Sequence, residues 1–319
     1  MDELQNITIL IPLYNEYEVL PLLVERLDKF IEDSPLNLKI LLVDDGSTDQ
    51  SAAYISNSIT NKAHYSVIFL SRNFGHSMAI TAGFRNISSE CDAVFLMDAD
   101  LQDPPELLPL FVEKMKEGFD VIYGIRKKRK EGILKRTCYK IYYRLLKKFS
   151  NIQMPLDAGD FSLIHYRVVK HIGLFPEQSR YMRGLRSWVG FKQTGLLYDR
   201  DSRKGGGQSK YSITSLFRLA FNGIFNFSEL PVRFIGLLGF VSVFTALIYL
   251  GITVYKKLVF GTVPEGFTAL IFAIVLFSGV QLLSLGIIGE YILRIFFQVK
   301  ERPLYIIKSR IVNGKKVDE

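Results

Sequence analysis

Three carboxylates, Asp98, Asp100 and Asp103, follow an apolar run in FLMDADLQDPPE, residues 95 to 106. Carboxylates are rarely buried unless paired, hydrogen-bonded or bound to a metal, so three at the end of such a run ask for partners. On extended backbone Asp98 and Asp100, alternating with Ala99, send their side chains the same way and offer two hard oxygens to one divalent cation. Asp103-Pro104-Pro105-Glu106 reads instead as the opening of a helix, with Asp103 as N-cap, a first-turn proline and Glu106 as capping-box acid.

Other polar residues recur at the ends of apolar runs: Pro12 to Glu16 after ITILI, Asp44 and Asp45 after LKILLV, Arg72 and Asn73 after SVIFL. No Ser/His/Asp order suggests itself, and His64, His76, His165 and His171 fall outside metal-ligand spacing. Cys91 and Cys138 form no CxxC pattern, suit a reducing compartment and are assigned to packing.

The elements that must position these residues alternate. ITILI, LKILLV, SVIFL and DAVFLM are each followed by a helical pattern, from Glu16, after Ser47, after Gly75 and from Pro104, and FDVIYG is a fifth strand candidate. Repeated strand and helix units predict a mostly parallel, doubly wound α/β sheet with its ligand outside the carboxyl ends of the strands. Asp45 to Thr48 also reads as a helix start, with Ser47 as cap and Gln50 closing the box, which favours Asp44 over Asp45 as a ligand contact.

The chain has 319 residues, 48% of them hydrophobic, and a formal net charge of +8. Its mean hydropathy of +0.16 is high for a purely soluble protein. Residues 234–255 and 267–289 contain no charge, and each approaches the ~20 apolar residues needed to cross a bilayer. Two transmembrane helices are therefore expected, with Arg203, Lys204, Lys210, Arg218 and Arg233 before the first and Arg294, Lys300, Arg302, Lys308 and Arg310 after the second. That distribution puts both flanks in the cytoplasm, although Lys256 and Lys257 in the connecting loop argue mildly against it. The N-terminus reads as an acidic start and a short β-like run, not as a signal peptide.

Three further stretches stand out. Residues 126–149 carry many cations and one acid on a helical pattern, which fits either anionic lipid headgroups or a solvated basic face; no signature supports nucleic acid. RKGGGQSK, residues 203–210, reads as a mobile cationic loop suited to phosphates, and 211–229 as an interfacial helix. Carboxylates at strand ends, cations behind them and a membrane anchor together suit a nucleotide diphosphate that carries a group to transfer.

VDDGSTD, LSRNFGHSMAITAGF, MDADLQDPPE, DAGDFSLI, GGQSKYS and GEYILRIFFQVKERPLY, spread over residues 7 to 307, resemble the family 2, GT-A-fold glycosyltransferases that charge polyisoprenyl phosphate, closest to the bactoprenol glucosyltransferase branch. The resemblance implies a Rossmann-like GT-A domain over 1–210, an interfacial helix over 211–231, a two-helix membrane region over 232–290 and a cytosolic tail over 291–319. It implies inverting transfer of one sugar, glucose by resemblance, from UDP-glucose to polyisoprenyl phosphate at the cytoplasmic leaflet of the cell membrane, with Mg2+ or Mn2+. A homo-oligomer and a downstream flippase are the protein partners it suggests.

Carried over by position, Pro12, Tyr14, Asn15, Glu16, Asp44, Arg72, Asn73 and Asp98 correspond to the nucleotide-sugar site, and Asp98 and Asp100 to the metal-binding DxD, with Asp100 the first choice as direct ligand. Asp157 is a candidate base or orienter, and Asp160 an organiser of cations. Arg200, Arg203 and Lys210 correspond to phosphate contacts. For Tyr14 and Glu16 strand-to-helix capping is the other reading, for Arg72 a tie to nearby carboxylates, for Asp157 a turn, for Asp160 a cap and for Arg200 a solvated charge. A lipid phosphate, with its second pKa near ~6, is already a nucleophilic dianion at neutral pH, so a strong base is dispensable. Ser162 stands where the branch has arginine, and His76-Ser77 where a lysine-acid pair is common. The rival readings are a processive polysaccharide synthase, of whose Q-x-x-R-W signature LRSW at 185–188 is half, and a nucleotide-sugar sensor or transporter subunit.

Overall fold

A computed structural model describes residues 4–59, 61–126, 158–199, 230–261 and 266–317. The chain divides into a sheet unit and a helical unit, and the sheet unit takes back the residues from Pro303 onward. Four strands, β1 (Asn6–Leu13), β2 (Asn37–Asp44), β3 (Tyr65–Leu70) and β4 (Ala93–Leu96), alternate with α1 (Leu20–Glu32), α2 (Ser51–Ser58) and α3 (His76–Arg85). β1 is buried from Ile7 through Leu13, which places it at the centre, paired in parallel with both β2 and β4. Pairing with β4 ends at Leu10, so Pro12, which has no N–H to give, lies beyond it.

After β4 come a short 3-10 turn (Pro105–Leu107), α4 (Leu108–Lys116), β5 (Val121–Arg126), β6 (Ala158–His165), α5 (Tyr166–Leu174), α6 (Met182–Trp188) and β7 (Gln193–Tyr198). The order β7-β5-β6-β4-β1-β2-β3-β8-β9 makes one nine-stranded sheet. β6 runs antiparallel between β4 and β5, so β5 is not the next parallel neighbour of β4. Ala158 to Ile164 of the DAGDFSLI segment, read above only as a motif, thus lie in an interior strand.

Period-two alternation explains what β6 does. Phe161 points into the core, where Phe95, Phe111 and Phe161 meet edge-on at 5.0 to 5.4 Å and Tyr198 lies 5.2 Å from Phe161. Asp160, one residue earlier, must face the other way.

β8 (Ile307–Val312) pairs antiparallel with β3, and β9 (Lys315–Val317) pairs with β8. The segment from Pro303 is therefore part of the sheet, where the sequence suggested only a tail.

The helical unit contains α7 (Leu230–Phe260) and α8 (Phe267–Val299). Both are long and apolar enough to cross a membrane, and none of their apolar windows is buried by protein. Glu290 and Arg294, the charges near the end of α8, pair with each other at 2.8 Å. The expected basic helix of 126–149, the loop 203–210 and the interfacial helix of 211–229 lie outside the described residues apart from Arg126.

Candidate active site

The loops after β1 and β2 are laced together at the carboxyl ends of the strands. Asn15, in the left-handed region at φ 53°, donates its N–H to Ser47 Oγ at 3.0 Å and accepts at Oδ1 from the Thr48 N–H at 2.8 Å. Ser47 in turn donates to Asp44 Oδ1, and the Glu16 N–H donates to Ser51 Oγ at 3.1 Å. Ser47 is therefore not the cap expected above; α2 begins at Ser51, with Gln50 in the cap position and no side-chain bond there. Burial pushes the Asp44 carboxyl up, against the hydrogen bonds from Ser47. Tyr14 stands exposed beside this loop pair.

Asp45 does structural work next door. Its oxygens accept from the N–H groups of Phe74 and Gly75, both at 2.8 Å, which pins the loop that carries Arg72 and Asn73. Arg72 donates to the Asn73 carbonyl at 3.0 Å and stacks over Phe74, 4.0 Å from the ring centre. Gly46 makes the approach feasible: its φ is +66°, and a Cβ there would fall 2.3 Å from the Arg72 carbonyl carbon.

After β4, Ala99 and Leu101 are buried while Asp98 and Asp100 are half-exposed, as the alternation predicted. Leu101 is held at φ 59°, a strained conformation for a leucine, and Asp100 accepts from the Gln102 N–H at 3.1 Å. Arg26 forks Glu106 at 2.7 and 2.8 Å and steadies the same turn.

Asp103 departs from expectation. It is buried, accepts from the Tyr198 hydroxyl at 2.6 Å, and leaves the cap position of the 3-10 turn to Pro104. A buried carboxylate satisfied by Tyr198 has no need of the helix N–H groups.

Asp160, on β6, completes the arrangement. Arg183 of α6 forks it, Nε to Oδ1 at 3.1 Å and Nη2 to Oδ2 at 3.2 Å. His76 Nε2 lies 3.7 Å from Asp160 Oδ2 and 3.9 Å from Asp98 Oδ1. The result is a line of alternating groups, Asp98, His76, Asp160, Arg183.

Charge follows from that line. Desolvation by the groups packed around it raises the Asp98 carboxyl to about 6 although the side chain keeps an open edge; His76 opposes the rise, while Asp103, Asp160 and Asp100 add to it. Desolvation would raise Asp160 too, but Arg183 and His76 outweigh it and hold the carboxyl well below the usual range. Desolvation pulls His76 down, and the two carboxylates more than restore it.

Behind Asp160 the balance turns positive. Arg186 is buried, donates to the Gly159 carbonyl at 3.1 Å and lies 5.1 Å from the centre of the Tyr123 ring. Burial lowers its pKa to about 10. Arg126 Nη2 lies 3.7 Å from where a Cβ on Gly159 would stand. Among the described residues, Nε and Nη2 of Arg186 and Nε of Arg126 lack hydrogen-bond partners, so buried guanidinium donors remain unused.

A metal fits the acidic end. Asp98 and Asp100 present hard oxygens amid excess negative charge, yet no three described His, Cys, Asp or Glu side chains converge as a ligand set. Two carboxylates suit a cation that takes its remaining ligands from water and a diphosphate. Asp157, Arg200, Arg203 and Lys210 lie outside the described residues.

Sequence reasoning missed Arg183, Arg186 and Tyr198, and counted Arg126 only as the first of a basic run. Arg183 and Arg186 are one helical turn apart, the single sequence signal that they share a face.

The glycosyl transferase family 2 model matches residues 8–173. An uncharacterised glycosyltransferase, YkcC, of Bacillus subtilis is 39% identical over 312 residues, 97% of this chain and 96% of its own. The SfII prophage-derived bactoprenol glucosyl transferase of Shigella flexneri is 35% identical over 305 residues, 95% of this chain and 98% of its own. Among solved structures, glucosyl-3-phosphoglycerate synthase from Mycobacterium tuberculosis superposes with a TM-score of 0.47 at 16% identity, over 69% of this chain and 77% of that one. The chain belongs to glycosyl transferase family 2 and is a glycosyltransferase.

Proposed function

We propose that this enzyme transfers one glucose, with inversion, from UDP-glucose to the phosphate of a polyisoprenyl lipid at the cytoplasmic leaflet of the cell membrane. The observation that carries the reading is the polarity of the site. Carboxylates gather at Asp98 and Asp100, and guanidinium groups with unused donors gather behind Asp160. Full-length similarity to bactoprenol glucosyl transferases supports the acceptor and the sugar, and α7 and α8 supply a means of holding the chain at the lipid.

In this reading a phosphate oxygen of the lipid bonds to the anomeric carbon as the bond to the diphosphate oxygen breaks, and the nucleoside diphosphate leaves with the electron pair. The acceptor phosphate is already largely a dianion, so no proton must be removed in the step. Mg2+ or Mn2+, held by Asp98 and Asp100, would neutralise charge growing on the leaving diphosphate. Pro12, Tyr14, Asn15, Glu16 and Asp44 form the loop pair assigned to the nucleotide, with Arg72 and Asn73 beside it. Arg126, Arg183 and Arg186 orient phosphate through charge-assisted bonds, and Arg200, Arg203 and Lys210 are assigned to the same task. Asp160 keeps Arg183 in place and, already ionised and engaged, takes up no proton. Asp157 is left as the orienter at the sugar.

The cations flanking α7 and α8 support a cytoplasmic sheet unit and cytoplasmic termini. A homo-oligomer and a flippase that moves the product belong to this proposal as partners.

The test is to incubate detergent-purified protein with polyprenyl phosphate, Mg2+ or Mn2+ and a panel of nucleotide sugars, and to look for lipid-linked sugar by mass spectrometry. Product from UDP-glucose alone, absent with Asp100→Asn, is expected. No product from any donor, with nucleotide still bound, would overturn the proposal in favour of a sensing or transport role.

A further inference from the structure

Trp188 closes α6, the seven-residue helix that carries Arg183 and Arg186, and is the chain's only tryptophan. It is 62% exposed. Leu174, the last residue of α5, is 68% exposed, and Phe175 beside it meets Trp188 edge-on with ring centres 5.3 Å apart. The ends of two helices thus meet through Phe175 and Trp188, with the exposed Leu174 next to Phe175 in the chain. An indole left in water forgoes the burial that makes aromatic side chains so favourable in cores, and a contiguous patch of this kind marks a contact surface.

The surroundings say what covers it. Lys170, one helical turn before Leu174, is exposed, as are His171, Lys192 and Arg167, with His171 and Arg167 both packed on Phe191 at 5.9 and 5.4 Å. From Tyr166 to Lys192 the chain has six lysines and arginines (Arg167, Lys170, Arg180, Arg183, Arg186, Lys192) against the single acid Glu177. Asp120 balances Arg167, which leaves Lys170 and Lys192 as exposed cations with no ion-pair partner among the described residues.

We propose that the Trp188 and Leu174 patch docks on the headgroup region of an anionic bilayer. Tryptophan partitions to that boundary because its ring is apolar and its N–H keeps a wet partner. Lysines beside it lay their stems on the apolar surface and reach lipid phosphates. A second copy packed through the same face would set Lys170 and Lys192 against themselves, and like charges disfavour that pairing. Docking seats α6, with Arg183 and Arg186, at the surface from which a lipid phosphate arrives. The inference rests on the reading that the chain is bilayer-bound.

The single tryptophan makes the test direct. The full chain is reconstituted into phosphatidylcholine and phosphatidylglycerol vesicles whose acyl chains are either plain or brominated near the headgroup, and flotation is run in parallel. Tryptophan emission several-fold weaker in the brominated vesicles is expected, with less quenching in pure phosphatidylcholine and in the Lys170→Glu/Lys192→Glu variant. Floating protein with equal emission in both vesicle types overturns the docking alone. Protein that does not float overturns the bilayer-bound reading and the docking with it. Unquenched emission that shifts to the blue as the protein-to-lipid ratio rises gives the face to contacts between copies and also overturns the proposal.

Discussion

Arg183 engages both oxygens of Asp160, at 3.1 and 3.2 Å, and with His76 it holds that carboxyl well below the ordinary range. A carboxylate so engaged stays ionised at every physiological pH, and the proposed mechanism uses it to position the guanidinium. Asp160→Asn should lower kcat/KM by on the order of tenfold to a hundredfold, in line with a charged hydrogen bond of roughly 1.5–3 kcal/mol. Arg183→Lys keeps the charge and loses the fork, and combining the two changes should cost little beyond the worse single one. Fully additive losses in the double variant would instead show that Asp160 and Arg183 act separately.

Asp98 has the opposite character. Its carboxyl, pushed up to about 6 by burial and its acidic neighbours, is uncomfortable when ionised. A metal ligand must be deprotonated, so affinity for Mn2+ should be nearly constant above pH 6 and fall as pH drops through it, followed by calorimetry on the intact protein. The folded group binds a proton more readily than the unfolded one, so its contribution to stability rises as pH falls from neutrality towards the unfolded pKa near ~4. Asp98→Asn should therefore raise Tm without metal at neutral pH while abolishing metal binding. A lowered Tm would show that the ionised carboxylate supports the fold.

Tyr198 and Asp103 form a buried pair at 2.6 Å beneath the acidic turn. Removing the hydroxyl leaves Asp103 without that donor, and Tyr198→Phe should cost about 1–3 kcal/mol in denaturant unfolding. Its ring keeps the contact with Phe161, so the loss should fall on the turn more than on the sheet. Metal affinity at Asp98 and Asp100 should weaken with it. Unchanged stability would mean that water or a rearranged neighbour satisfies Asp103 equally well.

The residues legible in the sequence are those whose signal is local. β1 to β4 announce themselves as apolar runs, and Asp98 and Asp100 as an alternation at a strand end, because both patterns are set within a few residues. Asp103 and Ser47 were legible as cap types but not in their actual bonds, because Tyr198 and Asn15, distant in sequence, compete for them. Arg183 carries no local mark beyond its one-turn spacing from Arg186; the antiparallel placement of β6 beside β4 is what presents Asp160 to it. β8 was hidden for a similar reason, since a short strand after a long apolar helix has no partner within reach until the sheet has formed.

That returning segment gives the last prediction. Ile311 is 2% exposed, and β8 supplies the ladder partner along β3, from Val67 with Ile311 to Leu70 with Ile307. The Ser71 N–H donates to the Ile306 carbonyl and the Gly314 N–H to the Tyr65 carbonyl, both at 2.9 Å, so the segment grips β3 at both ends, next to the loop of Arg72 and Asn73. Deleting 303–319 would uncover an apolar edge strand and forfeit the burial of Ile311 and Leu304, worth about 1.5–3 kcal/mol each. The truncated chain should unfold at lower temperature and aggregate, and Ile311→Asp should do so more mildly. Hydrogen exchange should localise the loss to the amides of β3 and to Ser71. Unchanged Tm and unchanged exchange at β3 would show that the edge is stable without its added strand, and that the sheet of β1 to β7 folds without the chain that follows α8.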